Sequence, residues 1–421
     1  MFEQSSSGIR RYFDNAATSF PKPPEVMRAM SEYAHELGAS PGRGAYREVG
    51  RTTELLTRCR HRLGSLLGCP SPDHVIFTLN TTDALSMAIN GIVTRRLLDG
   101  HRAHLVTSDL DHNSVLRPFR LLAERNPGRV TVTRIPCDPD TGRITPDDVR
   151  QAIGVDTALV ALAHASNATG TIQPIKGIGE VCRACGVPFL VDGAQTAGHR
   201  ELDMQECSID LLAVPGHKGL LGPLGTGALL MRPGIEQHVA PIRVGGTGSI
   251  SETDRHPDSM PDRYEAGSHN AIGLVGLDAA LGWIEKRTLA ALIAHEKMLA
   301  ADMLEGLLAI EDVHLLGPAD EELRCGVFSF VHRTLEPDEL AGRLESEHGL
   351  LVRSGLHCAP FAHKTFGTDP RTAALHGRMP GACRMSLGPF LQPEDVHEAL
   401  EALASLGTSR VKIPVEGALA T

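Results

Sequence analysis

Pro188-Phe189-Leu190-Val191-Asp192-Gly193-Ala194-Gln195 is a short apolar run that ends on an acid, and Gly216-His217-Lys218-Gly219 follows the next such run, Leu211 to Val214. An acid able to hold a pyridinium nitrogen and an amine able to form a Schiff base are the two groups that pyridoxal phosphate chemistry requires. Similar runs occur at His74 to Leu79, His104 to Thr107, Val130 to Ile135, Ala158 to Ala163 and Gly227 to Met231. Most are separated by enough chain for a crossover helix. The spacing predicts an α/β fold, with a mostly parallel seven-stranded sheet covered on both faces.

Helical periodicity surrounds these runs. Val26, Met30, Tyr33 and Leu37 share one face between Pro24 and Leu37, and Leu55, Cys59, Leu63 and Leu66 share another between Arg51 and Leu67. From Asn270 a long helical pattern begins, and after Gly317 the elements shorten. Cys325 to His332 reads as a strand and Leu335 to His348 as a helix. The expected division is a large domain over 18–270, a smaller α+β domain from 1–17 with 271–410, and a tail over 411–421.

Composition narrows the function. The 421 residues carry 41 basic and 51 acidic side chains, a net charge of -10. No stretch combines Lys and Arg with aromatics, so no nucleic-acid partner is expected. The chain has no signal-like amino terminus and no apolar run of about 18 residues, which predicts a soluble, cytoplasmic protein without a membrane partner. Nine cysteines without a framework suit reduced thiols. Cys182-x-x-Cys185 lies in an expected crossover helix with no second pair, and reads as structural.

Candidate chemistry sits at the strand ends, where open α/β sheets bind ligands. Asn80-Thr81-Thr82-Asp83 opens an apolar helix, and backbone amides with Thr hydroxyls at a helix amino terminus suit a phosphate. Asp109-Leu110-Asp111-His112-Asn113 brings an imidazole to the same rim, and His164-Ala165-Ser166-Asn167 follows the Ala158 to Ala163 run. Each feature alone is an ordinary cap, turn or solvated side chain. Their succession at one strand end after another is what singles them out.

That succession resembles the class V, fold-type I pyridoxal phosphate enzymes, and within them the NifS/SufS-like cysteine desulfurases and selenocysteine lyases. Nearly the whole chain takes part, from Tyr12-Phe13-Asp14-Asn15-Ala16-Ala17-Thr18 to Arg384-Met385-Ser386-Leu387-Gly388. Pro41-Gly42-Arg43-Gly44, Tyr264-Glu265-Ala266-Gly267-Ser268 and Arg353-Ser354-Gly355-Leu356-His357-Cys358-Ala359-Pro360 lie between.

The resemblance implies roles residue by residue. Lys218 holds pyridoxal 5'-phosphate and moves the α-proton of the substrate; Asp192 keeps the pyridine nitrogen protonated. Gln195 hydrogen-bonds the phenolic oxygen, and His112 stacks on the ring. Thr81 or Thr82, His217 and, from a second subunit, Ser268 hold the phosphate, which implies a homodimer. Arg384 with Asn167 binds the substrate carboxylate, a planar anion suited to a guanidinium.

The resemblance to the desulfurases further implies that Cys358 takes the sulfur of L-cysteine as a persulfide and releases alanine, in a loop where His357 beside it favours the thiolate. The short loop before Cys358 resembles the SufS-like branch, which implies a separate acceptor protein that takes the persulfide sulfur toward iron-sulfur, thiocofactor or tRNA thiolation pathways.

Two departures from the family pattern stand out. Pro215 replaces a common phosphate-binding Ser, and Gly388-Pro389-Phe390-Leu391 replaces an aromatic followed by Asn, which predicts a different substrate-side wall. Alternative readings are a selenocysteine lyase, a C–S lyase acting on a cysteine conjugate, or a non-catalytic scaffold.

Overall fold

The computed structural model describes residues 10–42, 44–247, 249–250 and 252–407. The tail expected over 411–421, residues 1–9 of the amino-terminal segment and Arg43 of the Pro41-Gly42-Arg43-Gly44 motif lie outside the described residues.

In chain order the strands are β1 (Arg11–Tyr12), β2 (Val75–Thr78), β3 (Ala103–Ser108), β4 (Val130–Ile135), β5 (Thr157–Ala163), β6 (Phe189–Asp192), β7 (Leu211–Pro215) and β8 (Gly227–Met231). They continue with β9 (Val313–Leu315), β10 (Val327–His332), β11 (Leu350–Leu351), β12 (Arg353–Gly355) and β13 (Ala382–Ser386). Strands β2 to β8 form one seven-stranded sheet in the order β2-β8-β7-β6-β5-β3-β4. Only β8 runs against its neighbours. The expected α/β architecture is therefore the observed one.

Every residue of β5, β6, β7 and β8 is buried. Strands covered on both faces read as unbroken apolar runs, the signal visible in the sequence. Their side chains alternate between two cores. Val160, Val191, Leu212 and Leu230 enter one, with the helices Arg47–Leu66 and Ile175–Cys185. Leu159, Leu190, Leu211 and Leu229 enter the other, with the helix Thr81–Leu98. Full burial of such a side chain contributes about 1.5–3 kcal/mol. Strand β4 is the sheet edge, and four of its six positions, Thr131 to Arg134, are exposed or half-buried.

The smaller unit has a four-stranded antiparallel sheet, β12-β13-β10-β9, and a short parallel pair, β1 with β11. Phe13, Phe328, Phe330, Met385 and Leu403 share its core, with the helices Leu289–Ala309, Pro337–His348 and Pro393–Gly407 around it.

The helix Ala271–Arg287, assigned to the smaller domain on sequence, packs otherwise. Leu274, Leu277 and Leu281 belong to the core of the large sheet, and the helix lies against Pro24–Glu32 and Arg47–Leu66. The long helical pattern breaks at Thr288, whose φ of 68° ends one helix while its hydroxyl accepts from the Ala291 N–H of the next. Among the described residues no helix is long and apolar enough to cross a membrane.

Candidate active site

The carboxyl ends of the parallel strands share one rim. Pairing of Thr78 with Gly227 and of Gly227 with Pro215 forms the last rung there. Pro215 has no N–H to donate, so a strand end is a position that tolerates it. Gly227 is required by crowding: a Cβ there would lie 2.8 Å from the Asn80 backbone. That close approach sets the start of the Thr81–Leu98 helix.

The cap of this helix is Asn80, whose Oδ1 accepts from the Asp83 N–H at 3.0 Å. The threonines are thereby freed from capping. Thr82 pairs with Ser114 at 2.8 Å, and the Thr81 hydroxyl is buried without a partner. His217 Nδ1 is likewise buried and unpaired, and burial holds that ring neutral, its pKa near 4. Four donors converge on the His217 carbonyl: the Ser19 N–H, the Thr18 and Ser19 hydroxyls, and Lys22 Nζ at 2.8 Å. They fix the peptide that carries Lys218.

Lys218 is half-buried, and loss of solvent around its amine brings its pKa down to about 8, with the attraction of Asp192 opposing that fall. Asp192 ends β6, accepts from the Ala194 N–H at 2.9 Å, and is raised by burial to about 6. The Lys218 charge also bears on His112 and His217, which places the four groups at the same end of the sheet. His112 caps the helix Asn113–Arg125 with its own ring, Nδ1 accepting from the Ser114 N–H at 3.1 Å. That bond leaves the ring proton on Nε2, and burial holds the imidazole uncharged, near 4.

Asp111 was missed in the sequence as anything but a turn residue. It is fully buried; Oδ2 accepts from the Thr107 hydroxyl and the Ser108 N–H at 2.6 Å each, and Oδ1 accepts from the Ala163 N–H, also at 2.6 Å. It ties the His112 turn to the end of β5. An Asp directly before a rim histidine was the only available signal, and a turn explains that signal equally well.

The segment 12–16 runs beside β13. Ser386 N donates to the Phe13 carbonyl, and the Ala16 N–H donates to Ser386 Oγ at 2.8 Å. This course inserts Asp14 between two arginines that face each other across the β12-β13 ladder. Arg384 Nη2 meets Asp14 Oδ1 at 2.8 Å and Arg353 Nε meets Oδ2 at 3.0 Å. Arg384 Nη1 donates to the Asn167 carbonyl at 2.8 Å, leaving Nε–H buried and unpaired, a donor available to a carboxylate. Asp14→Asn is expected to leave both guanidinium groups undercompensated and to cost about 3 kcal/mol. A shift of the urea midpoint to lower concentration checks this.

Gln195 and Asn167 are engaged within the protein. Gln195 Nε2 donates to the Ala16 carbonyl at 3.1 Å, and Asn167 Nδ2 donates to the His357 carbonyl at 2.5 Å. Asn167 thus links Arg384 to the loop of Cys358. That loop holds two consecutive left-handed residues, His357 at φ 49° and Cys358 at φ 57°. The Cys358 carbonyl accepts from the Asn113 N–H at 2.9 Å, directly after His112, and the cysteine is exposed.

The role expected of His357 is not supported. Its ring is buried, and burial with the Arg384 charge pushes its pKa far down, so it brings no positive charge to the thiol. Phe390 lies against Trp283, ring centroids 5.5 Å apart, in a packing cluster. Ser268 is exposed and lines a small cavity with Thr78, Leu79 and Arg243. All nine cysteines are free, and no metal-binding cluster occurs among the described residues.

These residues fit pyridoxal phosphate. Thr81 Oγ1 and His217 Nδ1 are unpaired polar atoms, Thr81 opening a long helix, and the Lys218 amine and the buried Asp192 carboxylate act on each other's charge. The chain belongs to the aminotransferase class-V family, which it matches over residues 11–399 and whose members are generally pyridoxal phosphate-dependent.

Among its relatives, a probable cysteine desulfurase of Methanothermobacter thermautotrophicus is 32% identical over 94% of this chain and 95% of its own length. One of Pyrococcus abyssi is 33% identical over 83% and 84%. The apo structure of a cysteine desulfurase from Thermococcus onnurineus NA1 superposes with a TM-score of 0.85 at 31% identity, covering 94% of each chain.

Proposed function

We propose that this protein is a pyridoxal phosphate-dependent cysteine desulfurase that converts L-cysteine to L-alanine and passes the sulfur through Cys358 to an acceptor. The observation that carries this reading is the exposed Cys358, fixed by Asn113 and Asn167 at the rim occupied by Lys218, His112 and Arg384.

When bound, the cofactor supplies a sink for the electron pair released at the substrate α-carbon. The residues supply the rest. Lys218 Nζ holds the cofactor and moves the α-proton; its lowered pKa keeps a share of the amine neutral near pH 8. Asp192 would hold the ring nitrogen protonated, and His112 would offer a neutral imidazole to the ring. Gln195 would offer its side-chain amide to the phenolic oxygen. Thr81, Thr82, His217 and the helix amino terminus hold the phosphate. Arg384 Nε receives the substrate carboxylate, with Asn167 holding the guanidinium beside it.

The Cys358 thiolate then attacks the substrate sulfur. A sulfur–sulfur bond forms as the carbon–sulfur bond breaks, and the electron pair left on Cβ takes a proton to give the methyl group of alanine.

A homodimer completes the site through Ser268. Exposed Leu79, Leu224 and Val244 lie in the same region and support a second copy there. A cytoplasmic setting suits nine free thiols.

The deciding experiment offers L-cysteine, L-selenocysteine and cysteine conjugates to the purified protein and scores the products. Alanine, with added sulfur on the Cys358 peptide by mass spectrometry, is expected from L-cysteine. Pyruvate with ammonia would instead show β-elimination and overturn the reading.

Reconstitution gives a pH test. Only the neutral Lys218 amine is nucleophilic, so uptake of pyridoxal phosphate by cofactor-free protein is expected to accelerate as pH rises through about 8. Absorbance of the bound cofactor follows the rate.

A further inference from the structure

We propose that Arg134 is a positioning residue for Cys358, clamping the thiol-bearing loop onto the large domain; the inference rests on the role given to Cys358 above. Arg134 projects from the edge strand β4, and its guanidinium carbon lies 3.4 Å from the centre of the Phe361 ring. Its Nε meets Asp109 Oδ1 at 2.5 Å. Phe361 belongs to the short helix Pro360–Thr365 that follows Cys358, and Asp109 opens the turn that carries Asp111 and His112. One side chain therefore joins the turn that sets the imidazole to the helix that sets the thiol.

The surroundings show why a clamp is needed. Left-handed conformations at two successive residues other than glycine are strained, so the His357-Cys358 turn persists only if contacts outside it hold it. Those contacts come from the large domain. Leu110 and Ala168 pack with Ala359, Ala362 and Phe366, while Asn113 and Asn167 bond the two loop carbonyls.

Arg134 closes the outer side of this cluster. A planar guanidinium stacks on an aromatic face and donates to a carboxylate in the same pose, and a lysine ammonium cannot reproduce both contacts. Arg134 sits on the edge strand β4 and Phe361 on the helix that follows Cys358, so the clamp acts through the placement of Cys358.

The test uses the holoenzyme. The rate of Cys358 alkylation by iodoacetamide is read on its own peptide, because Cys185 is also exposed. In parallel, kcat and KM for alanine formation from L-cysteine are measured. Arg134→Ala is expected to speed alkylation about fivefold and lower kcat about fivefold, with KM changed less than twofold, the size of a partly desolvated cation–π contact. Phe361→Leu is expected to reproduce both effects, Arg134→Lys to recover part of kcat, and the double variant to be no worse than either single one.

Alkylation that is unchanged or slower in Arg134→Ala and Phe361→Leu, or effects that add in the double variant, would overturn the clamp. Should Arg134→Ala fail to fold, Phe361→Leu and Arg134→Lys decide by the same readouts. Wild-type protein that makes no alanine would defeat the desulfurase reading alone, since the alkylation rates still report on the clamp.

Discussion

Cys358→Ser is expected to lower alanine formation from L-cysteine by about a thousandfold or more, with cofactor binding retained. Serine fits the exposed left-handed position as cysteine does, so the turn held by Asn113 and Asn167 survives. Its hydroxyl is not ionised at neutral pH and is a poor nucleophile toward sulfur. The groups proposed to hold the cofactor, Lys218, Asp192, His112 and His217, are untouched. Steady-state alanine release, the cofactor absorbance band and the mass of the residue-358 peptide separate the two consequences. A variant that still makes alanine at half the wild-type rate or more would remove Cys358 from the chemistry and leave a C–S lyase as the better reading.

Asp192→Asn is expected to act in opposite directions on the loaded and the cofactor-free protein. Asparagine cannot present a negative charge to the ring nitrogen, so activity is expected to fall by about a thousandfold and cofactor retention to weaken. Without cofactor, the carboxylate is a buried charge whose folded pKa is raised from 3.8 to about 6. A raised pKa gives a stabilising contribution that is full below the unfolded value near 4 and is lost as pH rises through about 6. Above that, the buried charge costs stability, in part offset by Lys218.

At pH 8 the substitution should therefore raise the stability of the cofactor-free protein by on the order of 1–2 kcal/mol, and at pH 5, where the unfolded carboxylate is already ionised, by about half as much. Urea unfolding of cofactor-free wild type and variant at the two pH values checks this. A variant no more stable than wild type at pH 8 would mean that the Lys218 attraction already cancels the cost of burial.

The legible parts of the sequence are those whose signal is local. Strands covered on both faces must be apolar at every position, so β5 to β8 are plain to read. Parallel strands place their carboxyl ends on one rim, so Thr81, His112, Asp192 and Lys218 could be grouped by counting strand ends. Asp111 could not be distinguished from a turn residue, because its weight comes from the Ala163 N–H of a neighbouring strand. The Ala271–Arg287 helix was placed in the wrong core because it is apolar on nearly all sides, and such a pattern does not say which sheet it covers. The help to the Cys358 thiolate expected of His357 could not be judged from sequence for a related reason: adjacency to Cys358 in the chain says nothing of how deeply the ring is buried.

By itself the sequence determined the layered α/β sheet, the residue types arrayed along its rim and a thiol in the loop after Arg353, since periodicity and strand ends are properties of short stretches. Tertiary structure alone decided what those residues can do. Burial, which no local pattern reports, brings Lys218 to about 8 and Asp192 to about 6. Asp14 finds Arg353 and Arg384 across 339 and 370 residues of chain. Cys358 stands at the Lys218 rim because Arg134, Asn113 and Asn167, distant in sequence, hold its strained turn from the other domain. Such contacts depend on how the two units close on each other, a geometry set by packing rather than by any one segment.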